Sequence, residues 1–247
     1  MRIIVTLIVA QSIGWLAFFR HQFPPKEPIY KIIASDPEPI SLLSTTNTNV
    51  ANGLVRIVVS AEDSLSSTST GFVLTTNATQ SFVITNAHLC EEISDMSNPV
   101  TKIISQQDDS NHQADIVYWD SDRDLCLLST PWIGTPLPLA SKGEKIKKGR
   151  EVLVATAKPI GDDQATIRFS KLSPWQVKAK GRDFHRPLMG LSMDTEPGQS
   201  GSPVFNEEKR VIGVLFGAAG SWLGVAVHVD ELYDFIYYYN QRISRSG

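Results

Sequence analysis

Cysteine is almost missing from this chain: Cys90 and Cys126 are the only two in 247 residues. Two thiols form no zinc-type cysteine pattern, so a zinc-cluster module is excluded. An excess of charge of one sign is missing too. Lys and Arg total 23 and Asp and Glu total 26, a net charge of -3 that offers no basic footprint for nucleic acid. Helical periodicity is scarce, with no long helical pattern before residue 229. What is present is ordinary globular composition, 42% hydrophobic and 20% charged, with enough chain for a sizeable core. That length permits one large all-β domain or two small ones.

Charge is also absent from residues 3–19, which lie between Arg2 and Arg20. This run is at the lower limit for a membrane-spanning helix. Trp15, Phe18 and Phe19 suit a membrane interface. Residues 1–20 are therefore expected to form an apolar signal-anchor helix. The alternative is a signal peptide with Ile3–Ala10 as its apolar core, cut near Ala10 or Ser12. Arg20, Lys26 and Lys31 follow the run, and by the charge rule alone they do not favour export. Terminal segments of this kind usually direct export, so a periplasmic or extracellular domain is expected, tethered or, if cleaved, secreted. Residues 21–50 read as a linker, since Pro24, Pro25, Pro28, Pro37 and Pro39 break helices and central strands.

From about residue 53, short segments rich in Val, Ile and aromatics alternate with turn signals. Val55–Ser60, Gly71–Thr75, Ser81–Thr85, Ala114–Trp119 and Asp124–Leu128 are expected strands. So are Val152–Thr156, Thr166–Ser170, Gln176–Ala179, Leu188–Met193, Arg210–Gly217 and Leu223–His228. This is an all-β sandwich or barrel pattern. Residues 229–242 form the one clear helix, with Leu232, Phe235, Ile236 and Tyr239 at helical spacing and Asp230 and Glu231 at its positive end.

Three stretches carry chemistry. In Gly198-Gln199-Ser200-Gly201-Ser202-Pro203, glycines let backbone N–H groups approach a ligand closely. A serine hydroxyl held there suits a nucleophile beside an oxyanion hole, although a plain Gly/Ser turn has the same composition. Thr85-Asn86-Ala87-His88 places an imidazole just past an apolar strand, where it can act as a base. Asp124-Leu125-Cys126-Leu127-Leu128 places a carboxylate at the mouth of an apolar strand, where it needs a partner, and His88 would suit. Asp122 is the rival acid, further from the apolar run. His112 and His185 lie in polar surroundings, and His21 and His228 have no motif around them.

In this order the three motifs resemble those of the chymotrypsin-like (trypsin-like) serine peptidases, especially bacterial and phage members. The likeness covers about residues 50–240. It implies two Greek-key β-barrels, about 51–140 and 141–228, with the active site in the cleft between them and the helix at 229–242 behind. It implies Ser200 as nucleophile, His88 as base, Asp124 as the group that orients His88, and the N–H groups of Gly198 and Ser200 as oxyanion hole. Gln199 replaces the acid common before the nucleophile, which suggests that no zymogen cleavage is needed. Ser202 replaces a second glycine.

The resemblance also implies a pocket for the side chain before the cut bond, with Leu215, Phe216, Gly217 and Ala218 on one wall and Gly224 and Ala226 opposite. Asp194 stands where trypsin-like members carry the acid that binds Lys or Arg; the alternative is an aspartate that starts a turn with Thr195. Glutamate specificity is not expected, because Leu215 stands where that subgroup has histidine. Cys90 lies two residues after His88 and Cys126 two after Asp124. If His88 and Asp124 touch, a disulfide could pin the acid strand to the histidine turn. Two buried thiols are the alternative.

The function expected is a membrane-tethered serine endopeptidase acting on polypeptide through an acyl-enzyme, with no metal or organic cofactor. The alternatives are an inactive homologue that binds peptides in the same cleft, and an esterase using the same three residues.

Overall fold

The computed structural model describes residues 48–246 apart from 62–63, 146, 148, 158–165, 178–183, 185–187 and 219–221. The anchor expected at 1–20 and nearly all of the expected linker lie outside the described residues. No described helix is long and apolar enough to cross a membrane.

After one helical turn (α1, Thr48–Ala51) come β1 (Leu54–Ala61), β2 (Ser64–Thr76) and β3 (Ser81–Thr85). Then follow α2 (Ala87–Ser94), β4 (Val100–Ser105), β5 (Asn111–Gln113), β6 (Asp115–Asp120) and β7 (Leu125–Thr130). These strands form one antiparallel sheet in the order β5-β4-β1-β2-β3-β7-β6. The second half holds β8 (Glu151–Thr156), β9 (Thr166–Val177), β10 (Leu188–Leu191), β11 (Pro203–Phe205), β12 (Val211–Ala218) and β13 (Gly224–His228). They close into a barrel in the order β10-β13-β12-β11-β8-β9. Helix α3 (Val229–Ser246) follows directly.

Both sheets are barrel-like, but they differ in how they close. Only the second sheet closes through its strand pairing. The first is barrel-like but open, because β5 has three residues and turns through Ala114 straight into β6. Its edges are drawn together by the Ala114 N–H on the Thr101 carbonyl at 3.0 Å and the Thr130 hydroxyl on the Gln113 carbonyl at 2.9 Å. The apolar run through His88 changes from strand to helix. It leaves β3 at Thr85 and enters α2, whose buried face is Ala87, Leu89, Cys90 and Ile93. His88 therefore stands in the first turn of a helix. In addition, β9 is one strand where two were expected.

Successive strand residues point to opposite faces, so an apolar strand can serve two cores. In β7, Cys126 and Leu128 fill the interior of the first sheet with Val55, Ile57, Val73 and Val83. Leu125 and Leu127 enter a core shared between the halves, with Phe72, Phe205, Val214 and Phe216. From α3, Leu232 and Phe235 join that shared core. Tyr118 of β6 packs on Phe235, with ring centroids 5.0 Å apart. The helix that ends the second half thus rests against the first, and the two sheets meet along one continuous apolar seam.

Candidate active site

Asp124 precedes β7 and is completely buried, while the His88 side chain is 26% exposed. A carboxylate without access to water must be hydrogen-bonded. His88 does this twice: its backbone N–H donates to Asp124 Oδ1 at 2.9 Å, and its Nδ1 lies 3.1 Å from Oδ1 and 3.0 Å from Oδ2. The Asn86 side-chain amide donates to the Asp124 carbonyl at 3.1 Å, tying the end of β3 to the same residue. Asp124 has φ +50, a left-handed backbone that side chains adopt at a cost. Asp122, the rival acid, is exposed.

Ser200 belongs to a turn between Gly198 at φ +90 and Gly201 at φ +85. Only glycine takes those values freely, and a Cβ on Gly201 would lie 1.9 Å from the Thr70 carbonyl oxygen. The turn is sewn to the first sheet. The Ser200 carbonyl accepts from the Ser69 hydroxyl at 2.7 Å and the Thr70 N–H at 2.9 Å. The Gly198 carbonyl accepts from the Thr70 hydroxyl at 2.9 Å. The Thr85 hydroxyl donates to the Thr70 carbonyl at 2.9 Å, and Thr85 is three residues before His88. The serine turn and the histidine helix are therefore anchored on one buried cluster: Ser69, Thr70 and Thr85.

Gln199, where an acid was the common residue, closes the loop on itself. Its N–H donates to the Glu196 carbonyl at 3.2 Å, and its side-chain oxygen accepts from the Glu196 N–H at 3.1 Å. The N–H of Gly201 is taken by Leu215 and that of Ser202 by Gln199. Among the described residues, no such acceptor takes the N–H of Gly198 or Ser200.

Residues 69–214 match the model of a family described as a trypsin-like peptidase domain. The chain belongs to that family. It is 28% identical over 173 residues to a probable periplasmic serine endoprotease DegP-like of Pseudomonas putida, covering 66% of this chain and 33% of that protein. It is 32% identical over 154 residues to serine protease Rv3671c of Mycobacterium tuberculosis, covering 61% of this chain and 36% of that one. The chain thus spans about a third of the length of the curated relatives it matches. The crystal structure of Rv3671c protease in its active form superposes with TM-score 0.67 at 23% identity, covering 86% of this chain and 91% of that one. That likeness gives the trypsin-like fold.

Within this trypsin-like domain the expected pocket residues separate into two groups. Leu215 and Ala226, 1% and 0% exposed, point into the core of the second barrel. They are paired across β12 and β13, with both side chains inside the barrel. Phe216 is a bulge between Leu215 and Gly217, buried in the shared core with its ring edge on Phe184. Asp194 and Ala218 are exposed, and Thr195 and Gly217 half-buried. Gly224 faces Thr195: a Cβ there would sit 3.2 Å from the threonine methyl. Of the other histidines, His112 bonds Ser110 at 2.8 Å, and His228 Nδ1 accepts the Asp230 N–H at 3.0 Å. His21 and His185 lie outside the described residues.

Cys90 and Cys126 form a disulfide with S–S 2.04 Å across a sequence separation of 36. It fastens α2 to β7 beside the His88–Asp124 contact. Among the described residues, no cluster of His, Cys, Asp or Glu could hold a metal ion.

Sequence patterns missed the hydroxyl cluster of Ser69, Thr70 and Thr85. They also missed Arg123, which is buried next to Asp124. Its guanidinium reaches Asp120 at 2.6 Å and Glu231 of α3 at 3.2 Å, with the Tyr238 ring 4.8 Å away. Burial opposes its charge, but the hydrogen bond to Asp120 and the charges of Asp120 and Glu231 outweigh burial and raise its pKa.

Proposed function

We propose that this chain is a serine endopeptidase that hydrolyses peptide bonds through an acyl-enzyme, with Ser200, His88 and Asp124 as its catalytic residues. The observation that carries this is the buried Asp124 carboxylate bound to both the N–H and the Nδ1 of His88. With Nδ1 held by Asp124, proton transfer runs through Nε2. His88 takes the Ser200 proton as the hydroxyl attacks the carbonyl carbon, then gives it to the leaving amine. Asp124 stabilises the imidazolium that forms between those steps. The Gly198 and Ser200 N–H groups receive the oxyanion.

The substrate is a polypeptide, and neither metal nor organic cofactor takes part. We assign residues 51–242 to the peptidase domain, 21–50 to a tether and 1–20 to an apolar anchor. The domain then works in the periplasm or outside the cell, in keeping with the periplasmic naming of the Pseudomonas relative. We assign the exposed Asp194, with Thr195, Gly217, Ala218 and Gly224, to the pocket for the side chain before the cut bond, and the cleavage profile reads its preference.

The test is labelling by a fluorophosphonate together with a cleavage profile on a peptide library. Wild type is expected to label at Ser200 and cleave. Ser200→Ala should lose both, the rate falling by about a million-fold as for other triad nucleophiles. Peptide binding without labelling would favour the inactive-homologue reading. Turnover of simple esters but not peptides would favour the esterase.

A further inference from the structure

We propose that Glu231, acting through Arg123, is a positioning residue for Asp124: the C-terminal helix sets the backbone of the acid. The inference rests on the triad assignment above.

Asp124 needs such a device because its backbone is left-handed at φ +50. For a residue with a side chain that conformation is held only where the surroundings over-determine it. On one side the surroundings are His88 and Asn86. On the other, the preceding residue is locked. The Arg123 N–H donates to Asp120 Oδ1 at 3.1 Å, and its guanidinium bonds Asp120 Oδ2 at 2.6 Å. Those contacts alone would fix a local turn that could swing as a unit. Glu231 opposes this by charge: from a fully buried position on α3 its Oε2 lies 3.2 Å from the Nε of the same guanidinium, an ion pair without hydrogen-bond alignment. Leu232 and Phe235 beside it are fixed in the shared core, so the carboxylate is a rigid reference point. Tyr238, two turns along, covers the guanidinium face.

A buried ion pair is weak evidence for stability, because desolvation consumes most of the attraction. Its value here is geometric. Released from Glu231, residues 120–124 can relax toward ordinary backbone angles, and the Asp124 carboxylate then moves out of its 3.0 Å contact with His88 Nδ1. Misplacements of about 1 Å at a catalytic group cost up to about a hundredfold in rate.

The test uses the full chain, with Glu231→Gln compared against Arg242→Ala. Arg242 lies on the same helix and packs over Tyr118 at 5.7 Å, loosening the helix without touching the acid turn. Two readouts separate positioning from bulk stability. One is the split between kcat and KM on a peptide that the wild type cleaves. The other is the strongly downfield proton resonance of the His88 Nδ1–H bonded to Asp124. Glu231→Gln should lower kcat by about tenfold to about a hundredfold with KM within about twofold, and should shift or broaden that resonance. Arg242→Ala should lower Tm and leave both readouts unchanged. A Glu231→Gln protein with reduced Tm but unaltered kcat and resonance overturns the inference. If that variant does not fold, Arg123→Lys, which keeps the charge but loses the two-pronged grip, gives the same comparison. If the wild type neither labels nor cleaves, the triad assignment fails; the resonance still decides whether Glu231 governs the His88–Asp124 contact.

Discussion

Replacing Cys90 and Cys126 together by alanine separates what holds this domain folded from what shapes its site. The bond closes a loop across a separation of 36 residues. On the chain-entropy account, freeing that loop in the unfolded state costs about 4 kcal/mol of stability. For a domain of this size the melting temperature should fall by about 8–16 °C. Either single alanine breaks the same bond, so each single variant should cost nearly as much as the double. The active geometry should survive. Thr85 and Cys126 remain paired between β3 and β7, and the Asn86 and His88 bonds to Asp124 do not involve sulfur. Peptidase activity measured well below the melting temperature should therefore stay within an order of magnitude of wild type. The assay is urea denaturation with parallel turnover measurements. A stability change under about 1 kcal/mol would refute the loop-closure reasoning. A folded double variant with activity lost would show that the bond shapes the site directly.

Gly201→Ala should be far worse than Gly198→Ala, though both positions have positive φ. At 201 the new methyl meets the Thr70 carbonyl at 1.9 Å, and that oxygen is pinned by Thr85, so a loss above about 4 kcal/mol is expected. At 198 the nearest atom is 3.3 Å away, and backbone strain alone costs about 1–2 kcal/mol. Equal denaturation midpoints would contradict this. The Tyr118 hydroxyl is held above the ordinary tyrosine pKa by burial and then by the Asp120 charge. The unfolded chain therefore ionises there first, and stability present below the unfolded pKa is lost as pH rises through the folded one. Tyr118→Phe should flatten that alkaline slope in denaturation midpoints. Its phenolate absorbance, seen as wild type minus variant, should appear at higher pH than that of exposed tyrosine.

The motifs around His88, Asp124 and Ser200 were legible because each is a short local pattern of distinctive side chains. The supports around them were not. Ser69 and Thr70 end a run of small hydroxyl residues that resembles loop composition, yet they lie in β2 and are buried. β4 was missed because two of its inward residues, Thr101 and Ser105, are polar, which hides the alternation. α2 was missed because its apolar face continues the apolar run of β3 without a break. The curl of the first sheet depends on a backbone turn at Ala114, which no hydrophobic pattern encodes. The Arg123–Glu231 contact joins residues more than a hundred positions apart, beyond the reach of any local motif.

The docking of α3 on the opposite half also bears on synthesis. Leu232 and Phe235 complete the apolar seam only when translation has passed the last strand. A nascent chain that has released every motif, but not this helix, still lacks the wedge between its halves. The two halves therefore share a finished core only once α3 has folded back across both of them.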